Sequence, residues 1–174
     1  MGADRDEQRV SAWLSLVQAN AAVADALDGS LQRSVGISLT WHEVLAHLGE
    51  APAGRLRMHE LARSVLLSKS GVTRLVDRLA EAGLVTRDLC SPDRRGVFAA
   101  ITPEGREMLE RAAPVFAAAL DVHFGHHLGE RDVANLQDAL GKLLAAHGRE
   151  TRPSCPSVYV IGAPASAAAA ASAG

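Results

Sequence analysis

Apolar side chains at Val10, Trp13, Leu14, Val17, Ala21, Ala24, Leu27 and Leu31 recur every three or four positions, which predicts one long amphipathic helix. Gly36 follows as its stop. Thr40-Trp41-His42-Glu43 sets a threonine three residues before a glutamate, the spacing of a capping box, with Leu39 and Val44 at the staple positions. A second helix is therefore expected from Thr40 to about Gly49. Ala51-Pro52-Ala53-Gly54 reads as a turn, and Leu56 as the start of a very short strand. A third helix covers roughly His59 to Val65. A fourth follows Ser68, whose hydroxyl suits an N-cap. Val72, Leu75, Val76 and Leu79 make its buried stripe, and Gly83 ends it with a residue that tolerates positive φ.

The period then changes. Leu84 to Leu89 partly alternates apolar and polar, Ser91-Pro92-Asp93 is turn chemistry, and Val97 to Ile101 is a second short strand, so the pair predicts a hairpin. Thr102-Pro103-Glu104 restarts helix, with threonine as N-cap, proline at the first helical position and glutamate at the positive end of the dipole. Leu109, Ala113, Phe116, Leu120 and Phe124 continue it. A last helix is expected from about Glu130 to His147, with Val133, Leu136, Leu140, Leu143 and Leu144 on one face. From Pro153 to Gly174 the chain is uncharged and rich in alanine, serine and proline, a low-complexity tail interrupted by Val158-Tyr159-Val160-Ile161.

At 174 residues and 48% apolar composition, the chain suits one domain with a tail and can bury a real core. Its net charge of −2 argues at first against a polyanion partner. By segment the charge says otherwise. Residues 55–96 carry nine bases (Arg55, Arg57, Arg63, Lys69, Arg74, Arg78, Arg87, Arg94, Arg95) against five acids, +4, while the remainder is −6. A basic segment in an acidic chain points to nucleic acid, although a solvated helical face has the same composition. Two cysteines, Cys90 and Cys155, make no disulfide framework. The N-terminus shows no signal peptide, and no strongly apolar stretch of about 18 residues is evident, so a cytoplasmic protein without a membrane span is expected. Arginine outnumbers lysine 16 to 2, a mark of a GC-rich genome more than of function.

Helix, helix, helix-turn-helix, hairpin, helix, helix is the order of a winged helix flanked by further helices: a mainly α fold with a small β-hairpin wing. The second helix of such a motif enters the major groove, where base pairs present distinct donors and acceptors. Ser68, Lys69, Ser70, Thr73 and Arg74 open the fourth helix, with Gly71 allowing close backbone approach. Arg78 lies one turn beyond Arg74, placed for a phosphate or for pairing with Asp77 or Glu81. The wing tip reads Asp93-Arg94-Arg95-Gly96. Arginine there suits the narrow minor groove, and the Asp93 carboxylate would orient a guanidinium. The competing reading is a winged helix used only for protein contacts.

Leu61-Ala62, the run Ser70-Gly71-Val72-Thr73-Arg74-Leu75-Val76-Asp77-Arg78-Leu79, and Gly83-Leu84-Val85 resemble the multiple antibiotic resistance regulator (MarR) family. Asp93-Arg94-Arg95 followed by Thr102-Pro103-Glu104-Gly105 resembles its D-R-R…L-T-x-x-G pattern, with Ile101 in place of leucine. The resemblance covers about residues 8–148. It implies a sequence-specific DNA-binding transcriptional regulator, a homodimeric repressor released by a small-molecule effector. The domain would span 1–150, with dimerisation helices at 8–36 and 106–148, a winged helix-turn-helix at 40–105, and a tail at 151–174. Two copies would meet two half-sites of a pseudo-palindromic operator in double-stranded DNA, one helical turn apart. Arg95 becomes the minor-groove candidate, held by Asp93. Such a protein is bacterial and cytoplasmic, and nucleoid-associated when bound to DNA.

The resemblance also implies a site for a small aromatic or anionic effector, lined here by Trp13, Val17, Trp41, His42, Leu45, Phe116 and Leu120. Apolar residues at helical spacing are equally ordinary core. The peroxide-sensing branch carries its cysteine in the first helix, where this chain has none, so Cys90 reads as an inert thiol. His123, His126 and His127 have metal-ligand spacing, with His42 and His47 further candidates, yet the zinc-responsive members carry their histidines nearer the start of the fifth helix. No cofactor is expected. Nor is an enzyme: His59-Glu60-Leu61-Ala62-Arg63 lacks the second histidine of a zinc protease motif, and no glycine-rich phosphate loop occurs.

Overall fold

The structure is a computed structural model that describes residues 2–65, 67–88 and 97–149. Among the described residues there are six α-helices and a small antiparallel sheet, against which α2, α3 and α4 pack. α1 is Gly2–Val35, α2 Leu39–Glu50, β1 Arg55–Arg57, α3 Met58–Ser64 and α4 Lys69–Glu81. β2 is Val85–Asp88, β3 Phe98–Ile101, α5 Pro103–His123 and α6 Glu130–Ala146. This is the mainly helical winged helix-turn-helix read from the pattern.

α1 is longer than the apolar period alone indicates. Its first turns lack an apolar stripe, but no breaker precedes Val10 and Asp4 complements the positive end of the dipole. Only the C-terminal part packs: Leu27 and Leu31 are buried, while Val10, Trp13, Leu14 and Val17 are exposed. One expectation is corrected here. The segment Asp4–Val35 contains an 18-residue window of mean hydropathy 1.2, enough to cross a membrane by length and composition alone. Its alanines, weakly apolar one by one, add up along the helix. The helix ends at Gly36, whose φ of +76° suits glycine and whose N–H donates to the Leu31 and Gln32 carbonyls.

The start of α2 also differs from expectation. Ser38, not Thr40, is the N-cap: its Oγ accepts the Trp41 N–H at 3.2 Å. The Asp28 carboxylate, reaching across from α1, accepts the Leu39 N–H at 2.8 Å. With two first-turn amides satisfied, the helix begins before Thr40, and Glu43 has no capping role. The staple positions pass from Leu39 and Val44 to Ile37 and His42, both buried. Glu43 is half-buried instead, and that burial raises its carboxyl above the ordinary glutamate value.

The sheet has the order β1-β3-β2, all antiparallel. Arg57 registers with Phe98 and Arg55 with Ala100 on one side, and Val85 with Ile101 and Arg87 with Ala99 on the other. Val85 and Ala99 face inward and join a core of Val44, Leu45, Leu48, Leu61, Val72, Val76 and Leu79. Thr102 then ties three elements together. Its Oγ1 accepts the Gly105 N–H at 3.0 Å as the cap of α5 and donates to the Gly83 carbonyl at 2.7 Å, at the end of α4. Gly105 lies so close to the Leu84 carbonyl that a Cβ there would collide with backbone.

α5 buries Leu109, Ala112, Phe116 and Ala119 against α1 and α2. Phe116 stacks on the fully buried His42 ring, centroids 4.7 Å apart and planes within 17°. α6 has the predicted apolar face, yet none of its residues is buried, and Leu143 is exposed.

Two outcomes follow from this packing. Gly105→Ala should lower the urea-derived stability by about 1–3 kcal/mol, because the colliding atoms are backbone and cannot turn aside. Burial also holds the His42 pKa at about 4 against an ordinary 6.5. Between those values the unfolded chain binds a proton that the folded chain refuses. Stability is thus full above pH 6.5 and falls as the pH drops towards 4. A His42→Phe variant should therefore lose about 2–3 kcal/mol less than the parent between pH 7 and 4.5 in matched urea titrations. Equal losses would contradict the buried neutral imidazole.

Candidate nucleic-acid interface

α4 owes its position to the contrast between its two sides. Val72, Val76 and Leu79 are buried, with Leu75 partly so, and this anchors one side in the core. Ser70, Arg74 and Arg78 are spaced four apart and share the opposite, exposed side. The N-terminus is organised as read from the sequence. Ser68 Oγ accepts the Gly71 N–H at 3.1 Å and lies 3.1 Å from Ser70 Oγ. The Thr73 hydroxyl donates back to the Lys69 carbonyl at 2.9 Å, leaving its lone pairs as acceptors. Ser68, Lys69, Ser70, Thr73 and Arg74 are thereby brought to the first two turns, at the positive end of the helix dipole, and Arg78 continues the exposed row into the last turn.

Asp77 is engaged by Arg87 of β2, not by Arg78. Both partners are partly open to solvent, so the pair adds little stability. Its effect is geometric: it fixes α4 against the strand that leads into the wing. It also leaves Arg78 without an ion pair among the described residues. No local spacing announces a contact across ten residues and two element types. Asp93, Arg94 and Arg95, together with Cys90, lie outside the described residues, as does the 151–174 tail.

A second basic feature was not among the residues picked from the sequence. Arg55 and Arg57 of β1 both lie over the Phe98 ring of β3, with Cζ 5.4 and 5.0 Å from its centroid. The signal was present in the alternation Arg55-Leu56-Arg57, which in a strand places both arginines on one face.

The seven residues expected around an effector divide into two sets. Leu45 and His42 are fully buried, Phe116 nearly so, and Trp41 and Leu120 pack against the same core where α1, α2 and α5 meet. Trp13 is 63% and Val17 45% exposed on the free part of α1, so a single chain does not join them to the other five. His126 and His127 meet edge to face at 6.1 Å on the surface. Among the described residues no group of three His, Cys, Asp or Glu side chains is placed to hold a metal ion, so the His123, His126 and His127 spacing does not assemble a site.

Comparison with known proteins agrees with this architecture. Residues 35–96 match the MarR family profile. The chain is similar to AbsC, a MarR family transcriptional regulator from Streptomyces coelicolor, at 34% identity and a TM-score of 0.73, over 79% of this chain and 91% of that one. It is also similar to Sco3205, a MarR family regulator of the same organism solved in complex with DNA, at 34% identity and a TM-score of 0.73, over 87% and 96% of the two chains. The HTH-type transcriptional regulator MhqR of Bacillus subtilis is 33% identical over 79 residues, 45% of this chain. The chain spans about half the length of the curated relatives it matches. The winged helix, the exposed arginines of α4 and two solved relatives covered almost end to end lead to one conclusion: the chain belongs to the MarR family of transcriptional regulators.

Proposed function

We propose that the chain is a homodimeric, sequence-specific DNA-binding repressor. One observation carries the reading: the exposed row Ser70, Arg74 and Arg78, which runs from the first to the last turn of a helix whose other side is buried. A helix so presented, with hydroxyls and guanidiniums at groove depth, has the donors that read base edges and phosphates. Sco3205 was solved with DNA, and YetL of Bacillus subtilis, 34% identical over 79 residues, is a transcriptional repressor. On the resemblance drawn from the motifs, Arg94 and Arg95 of the wing add a minor-groove contact, oriented by Asp93.

Homodimerisation is supported by what a single chain leaves exposed. Val10, Trp13, Leu14 and Val17 line the free part of α1, and the apolar face of α6 is only partly covered, with Leu143 exposed. Such faces mark a protein contact. The proposed division is accordingly 8–36 and 106–148 for assembly and 40–105 for DNA. Two copies of the basic segment then face two half-sites.

Release by a small aromatic or anionic effector is the finer part of the proposal. It is supported by the position of Trp41, His42, Leu45, Phe116 and Leu120, at the junction of the assembly helices with the winged helix. The complete burial of His42 and Leu45 favours a second reading, DNA binding with no effector. Titrating simple aromatic carboxylates into the protein–DNA complex separates the two: a shift in affinity supports release, and none supports the second reading.

The DNA reading is tested with a duplex enriched by the full chain from a random-sequence pool. Arg74→Ala should cost about 1–3 kcal/mol on that duplex and narrow the gap to an unrelated one, read by fluorescence anisotropy. Unchanged discrimination would remove α4 from base recognition. In sedimentation equilibrium at micromolar concentration the parent should have twice the mass of the chain, and Leu14→Glu should shift it towards the monomer. A monomeric parent would overturn the two-half-site arrangement.

A further inference from the structure

The outer face of the sheet carries a basic cluster that α4 and the wing tip do not account for. Arg55 and Arg57 share that face, while Leu56 between them packs towards the core. Register places Arg57 beside Phe98 on β3, and both guanidiniums sit over the Phe98 ring, at 5.4 and 5.0 Å. Phe98 is half-buried, so the ring is held, whereas Arg55 is exposed. A guanidinium lying over a ring is partly ordered before any ligand arrives and still has in-plane N–H donors to offer. The Glu60 carboxylate accepts the Arg57 backbone N–H at 2.9 Å, and among the described side chains neither guanidinium is in an ion pair.

The cluster also has a particular location. Arg57 directly precedes α3, the first helix of the helix-turn-helix, and Phe98 begins the strand that returns from the wing. The Met58 N–H bonds the Val97 carbonyl at 3.0 Å, which continues the ladder from that return into α3. The two arginines therefore lie between the motif that holds α4 and the wing.

We propose that Arg55 and Arg57, ordered on Phe98, form a second phosphate-binding site that grips the DNA backbone beside the wing and lengthens the footprint beyond the bases facing α4. The ligand is the phosphodiester chain of the same duplex. An acidic protein surface fits less well, because the one aromatic ring on this face is overlaid by the guanidiniums and offers no free apolar anchor of the kind that dominates protein interfaces. The contact is non-specific by nature: phosphate contacts set register and affinity, not sequence preference.

This inference rests on the reading of the chain as a DNA-binding dimer, and its test is arranged so that the two fail separately. The probes are the duplex enriched from the random pool, the same duplex trimmed by five base pairs at each end, and an unrelated duplex of full length. Affinities are measured between 50 and 250 mM NaCl for the parent, for Arg55→Gln/Arg57→Gln and for Arg74→Ala. The double variant should bind the full-length enriched and unrelated duplexes weaker by the same factor, roughly tenfold or more. Its slope of log affinity against log salt should be shallower by about 3–4, four lost contacts per dimer at about 0.9 each. Trimming should weaken the parent and leave the double variant unchanged. Arg74→Ala should instead lose mainly the difference between enriched and unrelated DNA.

A parent that binds no duplex sinks the DNA reading itself. Loss of discrimination in Arg74→Ala, beside a double variant with parental affinity and slope, keeps that reading and overturns the phosphate site. The latter result would leave the face to a protein partner. Should the double variant melt well below the parent, Arg55→Gln alone, at an exposed position, carries the same comparison with about half the change in slope.

Discussion

The hydroxyl of Thr102 is the point at which α4, the sheet and α5 are joined. It caps α5 through Gly105 and holds the Gly83 carbonyl at the end of α4, while the Thr102 N–H bonds the Leu84 carbonyl at 3.1 Å. Each bond is modest, about 1 kcal/mol net. Their common effect is positional. The close approach of Gly105 to Leu84 leaves no room for a side chain, so the start of α5 and the end of α4 move as one piece. The Asp77–Arg87 pair then adds β2 to that piece from the exposed side. This junction holds the end of α4 against the start of α5, the helix that packs on α1.

At the other end of the winged helix, Asp28 plays the corresponding part. A side chain of α1 completes the first turn of α2, so the long helix and the helix-turn-helix meet through a directional bond as well as through apolar contact. His42 and Phe116 fill the space behind it. Polar contacts decide orientation here because apolar burial alone tolerates sliding, whereas a capped amide does not.

The parts of the fold that were legible in the sequence are those with a local cause. Ser68 and Thr102 cap the helices they were expected to cap, Gly83 ends α4, and the change from a period of 3.6 to one of 2 marks the sheet. The exposed face of α4 could be read because Val72, Val76 and Leu79 exclude Arg74 and Arg78 from the buried side. What escaped has a distant partner. Thr40 and Glu43 make a persuasive box, but Asp28, eleven residues before Leu39, moves the start of the helix to Ser38. Asp77 finds Arg87 across ten residues, against the nearer Arg78. Arg55 and Arg57 were legible only as two of the nine bases of the basic segment; the register with β3, which sets Phe98 beneath them, is not local. The expected effector residues divided because periodicity reports which face of α1 is apolar, not how far along its length that face is covered.

The uneven covering of α1 gives the molecule a built-in optical signal. The chain has two tryptophans: Trp13 on the free stretch of α1, open to water, and Trp41 on α2, packed against the core. In a homodimer closed along α1, Trp13 passes from an aqueous to an apolar environment while Trp41 stays where it is. The intrinsic emission then separates into a component that shifts to the blue with self-association and one that serves as an internal standard. On the proposed dimer, protomer exchange and dilution would then be readable in solution without attaching a dye.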